Sequence, residues 1–394
     1  MNTLSLINRV KYNRWIYTLY FYLGSLGINI LKWFIRPNKH LIVFSSFGGR
    51  KFDDSPKAIY EAMLCDHRFD QFNFVWAFMH PDDYTLPRGE KIKTDTFTYY
   101  KTLLKARCWI TNSTMERGLD FKGRHTFYYN SWHGTPIKRM GKDISKGNKS
   151  FSSKRRSCCP YDVFLTQSQF DAEIFERSFC IPHHVIQTIG LPRNDELAHY
   201  NEEKVRQIKL QLNLPIDKKI ILYAPTFREY IKDDNSNCVM ALPVNFTEWK
   251  RVLGDDYILL LRAHYEVVKM MDVEDDDFVH NVSTYPNLNE LMIVSDMLIS
   301  DYSSILFDYA IMGKPMLCFT FDYDEYAAKR GMYFDVRDWL PFATDEHELL
   351  ELITTTNVVI PNESTLRFRE RFVTEYGAAT SKSLDILYEH IHHI

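Results

Sequence analysis

Cysteine is scarce in this sequence and poorly placed for its two usual structural uses. The 394 residues include seven Cys, and none belongs to a C-x-x-C pair or to a Cys/His array at zinc-site spacing. The adjacent Cys158 and Cys159 do not by themselves indicate a disulfide framework. These absences argue against a zinc module and against a disulfide-rich secreted fold, and they predict a reducing compartment.

An excess of positive charge is also missing. The formal net charge is −3 at pH 7, whereas general nucleic-acid binders carry a clear basic excess. No nucleic-acid partner is therefore expected, and an anionic ligand would have to be met by a local cluster of cations. Aromatic residues are plentiful instead, with 24 Tyr and 27 Phe, so a chain of this length can bury the cores of two domains.

The sequence has little that could serve as a long membrane span. An uncharged run of 17 residues lies between Arg14 and Lys32, with further basic residues at Lys11 and Arg36. This length is at the lower limit for crossing a bilayer, and the Trp and Tyr content is typical of a helix at the membrane surface. We expect residues 1–37 to form a membrane-associating helix that lies on the surface. A single span and a helix packed on the protein body are the alternatives.

Short apolar strands alternate with helical patterns after this segment. Strands are predicted at residues 41–47, 72–78 and 108–111, with helices at residues 55–63 and 99–106. The alternation predicts a parallel sheet with helices on both faces, and therefore an α/β domain over residues 38–200. A charged helix at residues 201–212 marks the boundary to a second α/β domain over residues 201–394.

Two strands of the first domain end beside residues that can do chemistry. The strand after Thr126 leads to His133 and Gly134, and the strand at residues 185–189 is followed by Arg193. In an open parallel sheet, ligands bind at the carboxyl ends of the strands. A histidine in a turn is often structural, but the neighbouring glycine allows a ligand to approach the backbone closely. His133 is therefore a candidate functional residue.

The second domain repeats the pattern. The residues that follow its strands are Pro225, Thr226, Arg262, His264, Ser303 and Ser304. Ser303 and Ser304 lie between a strand and a helix, where unpaired N–H groups and hydroxyls suit a phosphate. The alternative is that these two serines only cap the helix. Together, the strand ends predict a cleft for a nucleotide diphosphate between two lobes that face each other.

Three adjacent carboxylates, Asp275, Asp276 and Asp277, are the strongest candidates for a metal site in the sequence. No second carboxylate cluster with a fitting pattern stands near them, and such runs are usually solvated. No metal and no cofactor is expected, because the arginines, the histidines and the helix start at Ser303 can supply positive charge.

Five segments occur in an order that resembles one protein family: WHGTPIK, GLPRNDEL, YAPTFR, LLRAHY and SDMLISDYSSILFDYAIMGKP. The sequence resembles the CDP-glycerol glycerophosphotransferase family of teichoic acid and capsule synthesis, over most of the chain. The resemblance implies two Rossmann-like lobes of the glycosyltransferase-B type. It also implies a peripheral enzyme at the cytoplasmic side of the cell membrane.

The resemblance further implies a reaction and a set of site residues. A polyol phosphate passes from a CDP-activated polyol donor to a hydroxyl of a lipid-linked glycan or polyol-phosphate acceptor, and CMP is released. His133 matches the proposed general base, and His264 matches a histidine at the donor diphosphate. The donor-binding candidates are Trp132, Gly134, Thr135, Pro136, Arg193, Pro225, Thr226, Arg262, Ala263 (through its backbone), Ser303, Ser304 and Asp308.

The residues leave several functions open. The donor could be CDP-ribitol, or the enzyme could be a nucleotide-sugar glycosyltransferase, which breaks a C–O bond where a phosphotransferase breaks a P–O bond. A membrane-bound scaffold without turnover is a third possibility. The identity of the acceptor, the choice between primase and polymerase, and the oligomeric state are not set by the sequence.

Overall fold

The structure is a computed structural model that describes residues 13–144, 161–226, 228, 243–263 and 275–392. The α-helices are α1 (Arg14–Lys32), α2 (Asp54–Leu64), α3 (Phe97–Lys105), α4 (Gln169–Phe179), α5 (Asp195–His199), α6 (Glu202–Gln211), α7 (Phe246–Leu253), α8 (Leu288–Val294), α9 (Ile305–Ala310), α10 (Tyr323–Arg330), α11 (Glu346–Thr355), α12 (Glu363–Phe372) and α13 (Ala379–His392). The strands are β1 (Asn38–Ser45), β2 (Asn73–Phe78), β3 (Glu90–Lys93), β4 (Ala106–Thr111), β5 (Phe127–Asn130), β6 (Val163–Thr166), β7 (Ile186–Thr188), β8 (Lys219–Tyr223), β9 (Tyr257–Leu261), β10 (Val279–Asn281), β11 (Met297–Ser300), β12 (Met316–Phe319) and β13 (Phe342–Ala343).

The chain divides into two compact units. Unit 1 comprises residues 1–133, 140–195 and 375–394, and unit 2 comprises residues 134–139 and 196–374. The division at residues 195 and 196 lies close to the boundary expected at residue 200. Two segments differ from the expected assignment, since residues 134–139 belong to unit 2 and the carboxyl-terminal residues belong to unit 1.

Each unit contains a parallel sheet. Within the described residues, the seven strands of unit 1 run in the order β3-β2-β1-β4-β5-β6-β7, and the six strands of unit 2 run in the order β10-β9-β8-β11-β12-β13. In both sheets the first strand lies in the interior, and the chain winds outward first to one side and then to the other. The predicted α/β fold with two parallel sheets is confirmed.

Both faces of the unit 1 sheet are buried. Val43, Val75 and Trp109 belong to one core cluster, whereas Ile42 and Phe74 belong to the cluster on the opposite face. Alternate residues of a strand point to opposite faces, so strands covered on both sides have few polar positions. This explains why continuous apolar runs in the sequence predicted the interior strands correctly.

One edge strand of unit 1 lies outside the predicted strands. Glu90–Lys93 forms β3, which pairs in parallel with β2. Only Ile92 of this strand is buried. A short edge strand with one buried side chain has no apolar pattern, because most of its side chains face solvent.

Helix α1 occupies the uncharged run near the amino terminus, and one of its faces packs on unit 1. Tyr20 Oη donates a hydrogen bond to the carbonyl of Arg117 at 3.1 Å, and Ser25 Oγ accepts one from the Asp120 N–H at 2.9 Å. Tyr17 is 4% exposed on the same face. The alternative of a helix packed on the protein body therefore describes this face of α1.

The opposite face of α1 is apolar and exposed. Its exposed side chains, continued by the two residues after the helix, are Trp15, Leu19, Tyr22, Leu23, Leu26, Ile30, Trp33 and Phe34. Leu23 is 59% exposed and Trp33 is 84% exposed, although both side chains are large and apolar. Within the part of the chain that the structure describes, no helix has both the length and the apolar character to cross a bilayer.

Candidate active site

His133 lies at the carboxyl edge of the unit 1 sheet, after β5. Its Nδ1 is 2.6 Å from the backbone carbonyl oxygen of Asn112, the residue that follows the neighbouring strand β4. Because a carbonyl only accepts hydrogen bonds, the proton of the neutral imidazole must be on Nδ1. The second ring nitrogen, Nε2, is then left with a lone pair that can accept a proton.

The surroundings of His133 keep its imidazole neutral near pH 7. Burial lowers the pKa of His133 below its usual range, and the hydrogen bond to Asn112 and the Asp54 carboxylate partly oppose this effect. Arg193 and Arg50 lower the pKa further. A neutral imidazole with a free Nε2 is the form that a general base requires.

Two aromatic rings flank the imidazole, and both belong to residues with a left-handed backbone. The Trp132 ring stacks on it at 4.2 Å between centroids, and the Phe47 ring lies 5.6 Å away. The φ angles are +52° at Trp132 and +50° at Phe47, a region that aromatic residues rarely adopt. Such outliers cluster at functional sites, where the surrounding structure holds them in place. Trp132, a predicted donor-binding residue, is 8% exposed and packs in the core of unit 1 behind His133.

Arg193 lies in a short 3₁₀ turn, Pro192–Asn194, after β7. Its Nη1 is 2.5 Å from Asp54 Oδ2, and both side chains are largely buried. The Nε of Arg193 also donates to Asn194 Oδ1 at 3.2 Å. The predicted cation is thus present at the same sheet edge as His133, and a carboxylate that the sequence did not single out holds it there.

Gly134, Thr135 and Pro136 belong to unit 2, although they follow His133 directly. Their segment continues into an antiparallel bridge between Lys138 and Met332. Gly134 has a φ of +135°, which favours glycine. Thr135 is fully buried.

A buried arginine organises the strand ends of unit 2. Arg228 contacts Asp301 Oδ2 at 2.9 Å and Asp322 Oδ2 at 2.6 Å, and its side chain is 0% exposed. Asp301 in turn accepts hydrogen bonds from the N–H groups of Thr226 and Tyr302 at 2.9 and 2.7 Å. This network ties together the turns after β8 and β11.

Pro225 and Thr226 form the turn after β8, as predicted. The Thr226 hydroxyl is buried and has no hydrogen-bond partner among the described residues. A buried hydroxyl without a partner is unfavourable, so it marks a place where a further acceptor or donor would be stabilising.

Arg262 and Ala263 follow β9. Arg262 Nη1 donates to the carbonyls of Val282 and Tyr285 at 3.1 and 2.8 Å, so the guanidinium has a fixed direction. Ala263 is 7% exposed and belongs to the core of unit 2. His264, the second predicted catalytic residue, lies outside the described residues.

The turn after β11 has the predicted form, with α9 beginning at Ile305. Ser304 is the residue before the helix, and its side chain makes no capping hydrogen bond. Ser303 Oγ accepts from the Ile305 N–H at a long 3.4 Å. The alternative that both serines serve as helix caps is therefore weakly supported. Both side chains are half-buried. Asp308 lies in the first turn of α9 and is 4% exposed.

The acidic run at residues 275–277 forms local contacts. Asp276 Oδ1 accepts hydrogen bonds from the N–H groups of Phe278 and Val279 at 2.8 and 2.6 Å, and Lys250 lies beside Asp276 and Asp277. Across the ranges that the structure describes, no group of three or more His, Cys, Asp or Glu side chains is arranged to hold a metal ion.

Sequence reasoning missed three residues of these sites. Asn112 acts through its backbone carbonyl, which no sequence pattern reveals. Asp54 looks like an ordinary residue of a helix start, and Arg228 looks like a ligand-binding cation. The available signal for Arg228 was its place at the end of the segment YAPTFR, whereas Asp54 only directly precedes the predicted helix at residues 55–63.

The chain resembles known proteins over most of its length. The family described as CDP-glycerol:poly(glycerophosphate) glycerophosphotransferase matches residues 28–384. A teichoic acid glycerol-phosphate transferase of Staphylococcus aureus is 31% identical over 90% of this chain and 94% of its own length. A teichoic acid poly(glycerol phosphate) polymerase of Staphylococcus epidermidis is 36% identical over 76% of this chain, which spans only 43% of that longer protein.

Solved structures agree with the sequence comparisons. A histidine-to-alanine variant of the wall teichoic acid polymerase TagF has a TM-score of 0.82 at 32% identity, with 90% of each chain covered. A histidine-to-asparagine TagF variant soaked with CDPG has a TM-score of 0.81 at 32% identity, with the same coverage. On the extent of the family match, the chain belongs to the CDP-glycerol:poly(glycerophosphate) glycerophosphotransferase family, an enzyme family of teichoic acid synthesis.

Proposed function

We propose that this enzyme transfers glycerol phosphate from CDP-glycerol to a hydroxyl of a membrane-linked acceptor and releases CMP. The observation that carries the proposal is the hydrogen bond from His133 Nδ1 to the Asn112 carbonyl at 2.6 Å. It prepares Nε2 to take a proton from an alcohol. The names of the relatives, and the TagF variant soaked with CDPG, support the choice of donor.

The proposed reaction is a displacement at phosphorus. The acceptor oxygen attacks the phosphorus that carries the glycerol, a new P–O bond forms, and the bond to the bridging oxygen of CMP breaks. The proton of the acceptor hydroxyl passes to His133 Nε2, and CMP leaves with the electron pair of the broken bond. General base catalysis of this kind typically contributes about 10²–10⁴-fold in rate.

We assign donor binding chiefly to unit 2, as a lobe of the glycosyltransferase-B type. Both sheets have a topology whose carboxyl ends can bind nucleotides, and in unit 2 these ends carry Arg262, Thr226 and Ser303. Arg262, with its guanidinium direction set by two carbonyls, is the proposed diphosphate contact. Ser303 and the unpartnered Thr226 hydroxyl are proposed as further hydrogen-bonding groups.

The test is a comparison of donors. Purified protein is incubated with CDP-glycerol, CDP-ribitol or a UDP-sugar in turn, with a membrane-derived acceptor, and the released nucleotide is identified. We expect CMP from CDP-glycerol, with the donor phosphate retained in the product, and release by the His133→Asn variant that is slower by about 10²–10⁴-fold. CMP from CDP-ribitol alone would change the donor, and UDP from the sugar donor would indicate a glycosyltransferase. Full binding without turnover of any donor would indicate a scaffold.

We also propose that α1 holds the enzyme as a peripheral protein on the cytoplasmic side of the cell membrane. Its exposed apolar face lies between basic residues at Arg14, Lys32 and Arg36, a combination that suits an anionic membrane surface. The cysteines of the described residues are all free, in keeping with a reducing compartment.

Vesicle sedimentation tests the role of α1. The Leu23→Ser variant should bind vesicles that contain anionic lipid more weakly than the unaltered protein does. Leu210→Ser is the matched control, since Leu210 is similarly exposed, at 57% against 59% for Leu23, but lies on α6. Equal binding by both variants would contradict the proposed attachment.

A further inference from the structure

Asp54 has an unusual backbone for its position. It is the first residue of α2, directly after the capping residue Asp53, and its φ is +66°. Asp53, the capping residue before it, is extended, with a φ of −162°. A non-glycine residue in the left-handed region is strained, and such strain persists where the surrounding structure enforces it.

Helix capping accounts for only one oxygen of the Asp54 carboxylate. Asp53 Oδ1 already accepts the Asp54 N–H at 2.7 Å, so the helix start has a capping side chain. Asp54 Oδ1 accepts the next N–H, that of Ser55, at 2.7 Å. Asp54 Oδ2 is used differently, because it contacts Arg193 Nη1 at 2.5 Å.

The pair of Asp54 and Arg193 is shielded from water. The side chains are 5% and 13% exposed, so solvent does little to weaken their attraction. The Arg193 N–H also approaches Ser55 Oγ at 3.4 Å, and its Nε donates to Asn194. Asp54 and its neighbour Ser55 thus hold both the backbone and the guanidinium of Arg193.

The same pair contributes to the electrostatic surroundings of His133. After burial and the hydrogen bond to Asn112, the charged groups that act on the imidazole include the Asp54 carboxylate, which favours its protonated form, and Arg193 and Arg50, which disfavour it. In the proposed reaction His133 becomes positively charged at the moment it takes the acceptor proton. An imidazolium whose protonation two arginines disfavour is stabilised by a nearby negative charge.

We propose that Asp54 is a positioning residue for the transfer reaction: it fixes Arg193 at the sheet edge and balances the positive charge that His133 acquires. The proposal rests on the proposed function, in which His133 is the base. Asp54 itself forms no bond with the substrate in this scheme. Its effect is on the direction of one cation and on the proton affinity of one imidazole.

The experiment measures the pKa of His133 directly, by NMR titration of the ligand-free protein. The His133 signal is identified as the one absent from the His133→Asn variant. Asp54→Asn should lower the His133 pKa, and Arg193→Gln should raise it. The exposed Asp82→Asn serves as the matched control and should leave it unchanged. Because no turnover is needed, this result is independent of whether CDP-glycerol is the donor.

Kinetics supply the second readout. Asp54→Asn should lower kcat by roughly tenfold or more with a smaller change in the KM for CDP-glycerol, and the acidic limb of the pH profile should move to lower pH. Asp54→Gly guards against misfolding, since glycine adopts the observed φ without strain while removing the carboxylate. It should show the same His133 shift.

The proposal is overturned if folded Asp54→Asn and Asp54→Gly proteins keep the His133 pKa of the control. It is also overturned if Arg193→Gln shifts that pKa downward. A failure of the proposed function would look different, because the unaltered protein would then release no CMP although its His133 titration responded as expected.

Discussion

Replacing His133 by asparagine should separate the two tasks of the imidazole. The amide nitrogen of asparagine can occupy the place of Nδ1, so the hydrogen bond to the Asn112 carbonyl can be retained. No atom replaces Nε2, and an amide does not accept a proton near neutral pH. The variant should therefore keep the local structure and lose the base.

The expected loss is confined to turnover. A general base contributes about 10²–10⁴-fold, which corresponds to about 2.7–5.4 kcal/mol in the activation barrier. The affinity for CDP-glycerol should change much less, because the proposed donor contacts lie on unit 2. His133→Ala should lose as much turnover, and should also lower the free energy of unfolding, since it leaves a space between the Trp132 and Phe47 rings.

The assay is steady-state release of CMP over a range of pH, together with equilibrium binding of CDP-glycerol. A base must be neutral, and burial lowers the pKa of His133, so kcat/KM of the unaltered protein should fall on the acidic side with a midpoint below the ordinary value of about 6.5. That acidic limb should be absent from the residual activity of His133→Asn. Equal losses of turnover and affinity, or an unchanged limb in the variant, would show that His133 is a ligand contact and not the base.

Three further predictions concern unit 2. Arg262→Ala should mainly weaken binding of CDP-glycerol, measured by calorimetry, and an unchanged affinity would remove Arg262 from the site. Arg228→Met should leave Asp301 and Asp322 buried without their cation and lower the free energy of unfolding by about 3–5 kcal/mol in denaturant titrations. Burial lowers the pKa of Lys314 to about 8. Between pH 8 and 10 the ammonium proton of Lys314 is therefore bound more tightly in the unfolded chain than in the folded one. Over this range the free energy of unfolding of the unaltered protein should rise with pH relative to that of Lys314→Met. Parallel pH dependence of the two proteins would contradict this assignment.

The interior of the fold could be predicted from the sequence because apolar runs coincide with strands covered on both faces. All residues of the strands Tyr257–Leu261 and Met297–Ser300 are buried. The edge strand Glu90–Lys93 could not be predicted, because its polar residues face solvent. The carboxyl-terminal helix α13 belongs to unit 1 although it follows unit 2 in the sequence. This placement depends on tertiary contacts, so no local sequence pattern predicts it.

For the candidate site, the sequence predicted which residues stand at strand ends but not how each one is held. His133 and Arg193 do lie at one sheet edge, as the parallel topology requires. The position of the proton on the His133 ring depends on a carbonyl at Asn112, and the orientation of Arg193 depends on Asp54, which lies far from it in the sequence. Contacts of this kind arise from the folded arrangement and have no linear signature.

The packing of α1 has a practical consequence for protein production. The segment from Asn112 to Asp120 contacts both His133 and α1. The Asn112 carbonyl accepts the hydrogen bond of His133, and the Asp120 N–H donates to Ser25 of α1. Cutting the chain after residue 37 to obtain a protein that is easier to purify would remove the proposed membrane-binding face. It would also remove the side chains of α1 that pack on the unit 1 core next to that segment, so weak activity of the shortened enzyme would reflect a less firmly held His133 as well as any loss of membrane binding.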